Sequence, residues 1–176
     1  PLKGLRRAGL FLITRADLVG AAPLDRIRKG LHELGRGVPI ACCRTVPGGL
    51  RPLGTDGAGA LAPEALKDGR WAAFCGIGNP EGFRLTLRKA GCDLEFLSVF
   101  SDHERYSRRQ VELLLRQAAE AGCDHVVTTE KDAVKVERLL RRGSTPPIYA
   151  LQTDLDFTDG SDALAAAILE AVRKGA

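Results

Sequence analysis

The sequence predicts an α/β protein with a mostly parallel sheet and helices on both faces, a Rossmann-like arrangement. The first observation is that apolar segments of strand length alternate with segments of helical periodicity along nearly the whole chain. The second is that the run GLFLIT at 9–14 is apolar almost throughout, as in a strand buried on both faces. Hydrophobic residues make up 44% and charged residues 27%, a balance that indicates a soluble globular protein and excludes disorder.

Each element follows from periodicity and from flanking turn residues. Strands are predicted over 9–14, 38–46, 71–77, 94–100, 125–128 and 148–152. Helices are predicted over 23–34, 80–90, 107–121, 132–140 and 161–174, with a helical turn at 63–66. In the first helix, Leu24, Ile27, Leu31 and Leu34 fall on one face, which predicts an amphipathic helix.

A segment rich in glycine and proline, 47–59, predicts a loop or an interdomain connection. We therefore expect four parts: a strand–helix–strand remnant of a larger domain (1–45), a connection (46–64), a C-terminal α/β domain (65–153) and a C-terminal helix (154–176) that packs back on the N-terminal domain. The chain starts with Pro1 and contains no methionine, so we expect that it was trimmed or is the back part of a longer protein.

Charge and cysteine content narrow the class of protein. The formal charge of +4 suits anionic partners such as nucleotides, nucleic acid or an acidic lipid surface, and it does not choose among them. Five cysteines without CxxC spacing predict reduced, buried side chains in a cytosolic protein and no metal site. No apolar run reaches the roughly 20 residues that a membrane span needs.

Polar sequences follow three of the predicted strands, at the end of a parallel sheet where ligands bind. The first is Gly76-Ile77-Gly78-Asn79-Pro80, in which two glycines allow a tight turn, Asn79 can cap a helix and Pro80 fits its first position. Such a turn can bind an anion through backbone N–H groups, or it can serve only to start the helix.

The second polar sequence, Phe100–Tyr106, contains Asp102 and His103 just before a helix. Ser107 and Gln110 predict a capping box that fixes the start of this helix. A histidine on a strand-end loop can act as a base that a carboxylate orients, although the pair can also be structural or merely exposed.

The third is Thr128–Ala133, a strand that continues directly into Thr129, Glu130, Lys131 and Asp132. Thr129 and Asp132 can form a capping pair. Lys131 can meet a phosphate or a ribose hydroxyl, so this turn has both a structural and a ligand-binding interpretation.

Taken in order, the three segments resemble the C-terminal half of the lipid A 4'-kinases, whose pattern is a GIGNP turn, an F-x-D-H-x-x-Y loop and a TTEKDAV junction. The early Thr14-Arg15-Ala16-Asp17 is similar to a strand-end segment of the same family. Ser101 and Glu104 depart from the family's usual proline and second histidine. No GxxxxGK[ST] motif occurs, so the resemblance implies that the phosphate-binding P-loop belongs to sequence upstream of this chain.

The resemblance implies transfer of the ATP γ-phosphate to the 4'-hydroxyl of a tetraacyldisaccharide 1-phosphate, at the cytoplasmic face of a Gram-negative inner membrane. ATP and Mg²⁺ are the implied cofactors, with the Mg²⁺ ligands mostly in the upstream half and none in this chain. The implied partners are the lipid, ATP and an anionic membrane surface, without nucleic acid. By the same resemblance, residues 1–45 are the remnant of a P-loop kinase domain, and the chain alone is expected to have little activity.

The resemblance also suggests roles for individual residues. It makes His103 a catalytic residue supported by Asp102. Contacts to nucleotide or substrate are expected from Arg15, Gly76, Gly78, Asn79, Thr129, Glu130, Lys131 and Asp132. Two other hypotheses stay open: a non-catalytic Rossmann-like module that binds nucleotide or nucleic acid, and a purely structural domain in which helix caps explain every polar cluster.

Overall fold

The computed structural model describes residues 2–35, 37–54, 59–102, 105–141 and 143–175. The strands are β1 (Phe11–Ile13), β2 (Ile40–Pro52), β3 (Arg70–Cys75), β4 (Asp93–Val99), β5 (His125–Thr129) and β6 (Ile148–Asp159). The helices are α1 (Leu2–Leu5), α2 (Ala21–Gly35), α3 (Pro80–Lys89), α4 (Arg108–Glu120), α5 (Glu130–Val136) and α6 (Ser161–Gly175). Short 3-10 turns lie at Ala16–Leu18, Pro63–Lys67 and Glu137–Leu139.

The chain folds into two compact units. The first unit comprises residues 1–46 and 155–176, and the second comprises residues 47–154. Strands β2 and β6 each contribute residues to both units, so each unit is described by itself.

The second unit contains a sheet with the strand order β2-β6-β5-β3-β4. Strands β4, β3, β5 and β6 are parallel, with Trp71 opposite both Leu94 and His125. Strand β2 runs antiparallel to β6, because Leu53 donates its N–H to the Ile148 carbonyl at 2.8 Å while Gly49, four residues earlier, lies opposite Gln152. The mostly parallel sheet predicted from the sequence is therefore confirmed.

Strand β3 explains why this unit has helices on both faces. All its residues from Trp71 to Cys75 are fully buried, and they alternate between two cores. Ala72 and Phe74 pack in one core with residues of α4 and α5, whereas Trp71, Ala73 and Cys75 pack in the other with residues of α3. A strand covered on both faces needs an apolar residue at every position, as this one has.

The three helices that follow strands in this unit begin with side-chain caps. Asn79 caps α3 by accepting the Gly82 N–H at 2.9 Å. Ser107 and Gln110 form the predicted capping box at the start of α4. Thr129 caps α5 by accepting the Asp132 N–H at 3.2 Å, which confirms the predicted capping pair. The caps fix where each helix starts and so fix the turns that precede them.

The first unit has a much smaller core. Strand β1 pairs with β2 in parallel, and the last part of β6 lies along β2, where the Thr158 hydroxyl donates to the Cys42 carbonyl at 3.3 Å. Neither α2 nor α6 contains a buried residue among those described.

All five cysteines of the chain are free and buried, as predicted. Within the described residues, no helix has the length and apolar character that a membrane crossing requires.

The prediction of a loop over 47–59 is wrong for its first half, because Pro47–Pro52 continue strand β2. The glycines there mark close approach of β6 rather than a turn. A Cβ at Gly48 would overlap the Asp154 carboxylate, and one at Gly49 would lie 3.1 Å from Gln152 Oε1. Strand β6 is likewise longer than predicted and extends to Asp159.

Candidate functional site at three strand ends

The three polar segments meet because their strands are neighbours. Strand β3 lies between β4 and β5, and all three are parallel, so the segments that follow them share one edge of the sheet. After β3 the chain crosses to the face of the sheet on which α3 packs. After β5 it crosses to the opposite face, on which α5 packs. Connections that diverge in this way open a crevice between two strand ends, the usual ligand position in open α/β sheets.

The turn after β3 directs its first N–H group to an acceptor of the protein. Gly76 donates its N–H to Asp132 Oδ2 at 2.9 Å. Burial raises the pKa of the neighbouring Cys75 thiol to about 11, and the Asp132 charge acts in the same direction. The geometry thus supports the helix-starting interpretation of this turn, since the Gly76 donor does not face an external anion.

Gly76 lies where the three segments approach most closely. A Cβ at this position would lie 2.8 Å from the Tyr106 hydroxyl oxygen, 3.0 Å from the Ser101 carbonyl oxygen and 3.4 Å from Asp132 Oδ1. These atoms belong to the second and third segments. The glycine is therefore required for packing between segments, at a point where no side chain fits.

The second segment is held at both ends. Phe100 donates its N–H to the Cys75 carbonyl at 2.8 Å, which extends the β3–β4 pairing into the turn. Tyr106 is buried and packs edge-on against Phe74 and Phe100, with ring centroids 5.7 and 5.1 Å away. Between these anchors Ser101 and Asp102 are exposed. His103 and Glu104 lie outside the described residues, so the predicted catalytic histidine is placed only by its neighbours in sequence.

The third segment supplies an ion pair to the second. Lys131 Nζ lies 3.0 Å from Asp102 Oδ1, and both side chains are nearly half exposed. Gly78 of the first segment is also close, because a Cβ there would lie 3.4 Å from Asp102 Oδ2. Asp102 thus lies between the turns that follow β3 and β5.

Asp132 is fully buried beneath this surface. Its carboxylate accepts the Gly76 N–H, the Thr129 hydroxyl at 2.8 Å and the Lys135 ammonium at 3.0 Å. Burial alone acts to raise the pKa of the Asp132 carboxyl, but these three hydrogen bonds outweigh it and hold that pKa below its usual range. The carboxylate is therefore ionised at neutral pH.

A protein-family model described as tetraacyldisaccharide-1-P 4'-kinase (LpxK) matches residues 1–173. The chain belongs to this family. A tetraacyldisaccharide 4'-kinase from Anaeromyxobacter sp. (strain K) is 34% identical over 168 residues, which are 96% of this chain and 44% of that protein. One from Chlorobium limicola is 36% identical over 169 residues, covering 94% of this chain and 45% of the relative.

The chain thus spans less than half the length of these relatives of the 4'-kinase family. A solved structure described as the "apo" form of LpxK from Aquifex aeolicus in complex with ATP is also similar. It is 22% identical with a TM-score of 0.49, over 93% of this chain and 53% of that chain.

The structure brings together most of the residues for which the family resemblance implies a site. Gly76, Gly78, Asp102, Thr129, Lys131 and Asp132 are linked by the contacts given above. Asn79 caps α3, and Glu130 is exposed at the first position of α5. Arg15 belongs to the first unit, where it has a left-handed backbone conformation with a φ of 54°.

Sequence reasoning about the 4'-kinase motifs missed Lys135. Its ammonium pairs with Asp132 and lies 5.7 Å from the centre of the Tyr106 ring. The spacing held a usable indication, because residues three apart on a helix are neighbours and Lys135 follows Asp132 by three. In the described part of the chain, no group of three or more His, Cys, Asp or Glu side chains is arranged to hold a metal ion.

Proposed function

We propose that this chain supplies one side of the catalytic cleft of a tetraacyldisaccharide 4'-kinase. The reaction would transfer the γ-phosphoryl group of ATP to the 4'-hydroxyl oxygen of a tetraacyldisaccharide 1-phosphate. The observation that supports this most strongly is that an exposed Asp102, followed directly in sequence by His103, lies between the turns after β3 and β5 in a chain that belongs to the 4'-kinase family. Because the chain spans 44% of its relatives, the remaining parts of the active site are expected outside these residues.

In this proposal, the loop of Asp102 and His103 acts on the acceptor hydroxyl. His103 takes the hydroxyl proton as the oxygen bonds to phosphorus, and ADP leaves with the electrons of the broken P–O bond. Asp102 and Lys131 hold the loop beside the β5–α5 turn. Phosphoryl transfer depends mainly on positioning, which is what a loop anchored at both ends provides.

The donor set described here does not fit a Mg²⁺ site. Asp102 is paired with Lys131, and the Asp132 oxygens are bonded to Gly76, Thr129 and Lys135. Mg²⁺ prefers carboxylate oxygens that can reach it directly in octahedral geometry. Metal ligands are therefore proposed for the rest of the enzyme, together with the ATP phosphate site.

The first unit fits the role of an incomplete kinase domain. On α6, Ile168, Leu169 and Val172 are more than half exposed, and Leu164 and Ala167 line an apolar groove of about 510 Å³ together with Leu10. We propose that the remaining part of the kinase domain covers these side chains, as the expected packing of the C-terminal helix requires. Such a cover would remove apolar surface from water.

We further propose a peripheral position at the cytoplasmic face of the inner membrane, since the acceptor is a lipid and the chain carries a charge of +4. The alternative function, a module that binds nucleotide or nucleic acid without catalysis, has less support. One argument for it was the glycine turn, whose first N–H group is directed to Asp132.

A chimera tests the proposed function. This chain would replace the matching 44% of the Anaeromyxobacter sp. relative, and transfer of ³²P from labelled ATP to tetraacyldisaccharide 1-phosphate would be measured. We expect phosphate transfer, and we expect His103→Ala to lower kcat by about 10²- to 10⁴-fold.

The matched control is His32→Ala, an exposed histidine of α2 in the first unit, which should retain the turnover of the parent chimera. A folded chimera that transfers no phosphate would count against the kinase assignment. Parental turnover in His103→Ala would remove this histidine from the mechanism.

A further inference from the structure

Asp132 is unusual for its burial. Among the described residues, the only fully buried polar side chains are Thr128 and Asp132. Helix α5 does not need this carboxylate for its cap, because Thr129 already accepts the Asp132 N–H. A buried charge is costly unless several donors surround it, so its presence calls for an explanation beyond helix capping.

The donors that surround Asp132 come from different segments of the site. Gly76 belongs to the turn after β3, whereas Thr129 and Lys135 belong to the segment after β5. Lys135 has a second contact, since its ammonium lies over the ring of Tyr106 in the segment after β4. A cation over an aromatic face is attracted to it, particularly where water is partly excluded. One carboxylate and one ammonium therefore join all three segments.

These contacts reach the exposed part of the site through short paths. Tyr106 packs against Phe100, whose N–H is bonded to Cys75, and Phe100 is two residues before Asp102. On the other side, Lys131 is the neighbour of Asp132 in the first turn of α5 and is paired with Asp102. Both anchors of the Asp102 loop thus depend on where α5 lies relative to the end of β3.

We propose that Asp132, with Lys135 as its counterion, is a positioning residue that holds Asp102 in its place between the turns after β3 and β5. It acts through Gly76 and Tyr106 and touches no substrate. The functional part of this inference rests on the proposed kinase function, whereas its structural part does not. A role confined to stabilising α5 is the alternative, and the two differ in how far the effect of a substitution spreads.

Hydrogen exchange in this chain distinguishes these two roles without any activity. Asp132→Asn keeps the shape of the side chain and removes its charge. Under the positioning role, exchange of the Phe100 amide accelerates by about 10- to 100-fold, the factor that corresponds to losing a charged hydrogen bond. The Asp124 amide, bonded to the Arg70 carbonyl at the opposite end of β3, keeps its rate.

Three further variants sharpen this measurement. Lys135→Met should accelerate the same Phe100 amide, and Lys135→Arg, which keeps the cation, should restore most of its protection. Asp124→Asn is the matched control, because that carboxylate accepts the Arg70 N–H at 2.8 Å at the opposite end of the sheet. It should leave the Phe100 amide unchanged. Faster exchange confined to Gly76 and residues 129–135, or equal acceleration of all amides, would overturn the positioning role.

Asp132→Asn and its control Asp124→Asn also test the functional part in the chimera. We expect Asp132→Asn to lower kcat by about 10- to 100-fold, as a small misplacement of catalytic groups does. The KM for ATP should stay within about twofold, because a transition-state interaction is lost rather than nucleotide binding. Asp124→Asn should retain kcat. If exchange responds as expected but kcat does not, the loop is positioned by Asp132 without serving this reaction. A parent chimera without activity would instead reject the kinase function and leave the exchange result standing.

Discussion

Both units of the molecule contain amphipathic helices, but the apolar faces of these helices differ in how far they are buried. Helix α3 of the second unit buries Gly82, Phe83 and Leu87, whereas α2 of the first unit buries no described residue although its leucines also fall on one face. Both hydrophobic cores lie between Leu50 and Leu151, entirely in the second unit. The buried apolar residues of the first unit are few: Phe11, Ala16, Ala41, Cys42 and Cys43.

This difference shows what an amphipathic pattern establishes. Periodicity predicts that a segment is helical and which of its faces is apolar, because residues three and four apart share a face. It does not say which surface covers that face. In the second unit the cover is the sheet of the same unit, and in the first we propose that it is the remaining part of the kinase domain.

The largest expected effect comes from replacing one leucine by alanine in a helix of each unit. Leu87→Ala in α3 removes a fully buried side chain and should lower the free energy of unfolding by about 2–5 kcal/mol. Leu169→Ala in α6 removes a side chain that is 58% exposed and should change it by less than about 0.5 kcal/mol. Urea titration followed by the fluorescence of Trp71, the single tryptophan, measures the effect in the second unit.

Because Trp71 lies in the second unit, circular dichroism at 222 nm should accompany the fluorescence to include α2 and α6. Similar losses for the two leucines would mean that α6 is packed in solution. The contrast between the units would then fail.

Replacing one glycine by alanine in each unit is expected to change stability in opposite directions. Gly76→Ala should destabilise the second unit by about 1–3 kcal/mol, since the new methyl group would meet Tyr106 and the Ser101 carbonyl. Gly30→Ala, inside α2 and with no atom within 4 Å of the added Cβ, should stabilise that helix by about 0.5–1 kcal/mol. Thermal unfolding monitored at 222 nm gives both shifts. If Gly76→Ala is neutral, the close approach of the three segments is not present in solution.

Much of the second unit could be predicted from the sequence, because its signals are local. The apolar runs of β3 and β5, the capping box at Ser107 and the cap at Thr129 are each formed by residues close together in sequence, and the structure confirms them. The glycines of 47–52 were misinterpreted for the same reason. Their cause is a side chain of β6 about a hundred residues later, and local propensity does not contain that information.

The candidate site likewise has features that the sequence indicates and features that it does not. The order of the motifs and the parallel sheet predicted that the three segments share one edge, and the Lys131–Asp102 pair is consistent with this. The link between Gly76 and Asp132 spans 56 residues, so no spacing along the chain indicates it. Lys135 was overlooked because a lysine on a short helix is most often a solvated charge. The burial of its partner Asp132 shows instead that this lysine is the counterion of a buried carboxylate.

The charge of Asp132 is expected to make stability depend on pH. Hydrogen bonds hold the pKa of this carboxyl below its unfolded value, so its contribution to stability is complete above the unfolded pKa of about 4 and is lost as pH falls through the folded pKa. Wild-type stability should therefore decline below about pH 4, and Asp132→Asn should show a shallower decline. Urea midpoints measured from pH 6 to pH 2.5 test this.

Asp156→Asn, which removes an exposed carboxylate paired with Arg44 in the first unit, is the control and should lower stability by less than about 1 kcal/mol. If the wild type and Asp132→Asn decline in parallel, the pKa of the Asp132 carboxyl is the same in the folded and unfolded protein, and its hydrogen bonds, including that from Lys135, give the ionised form no net stabilisation.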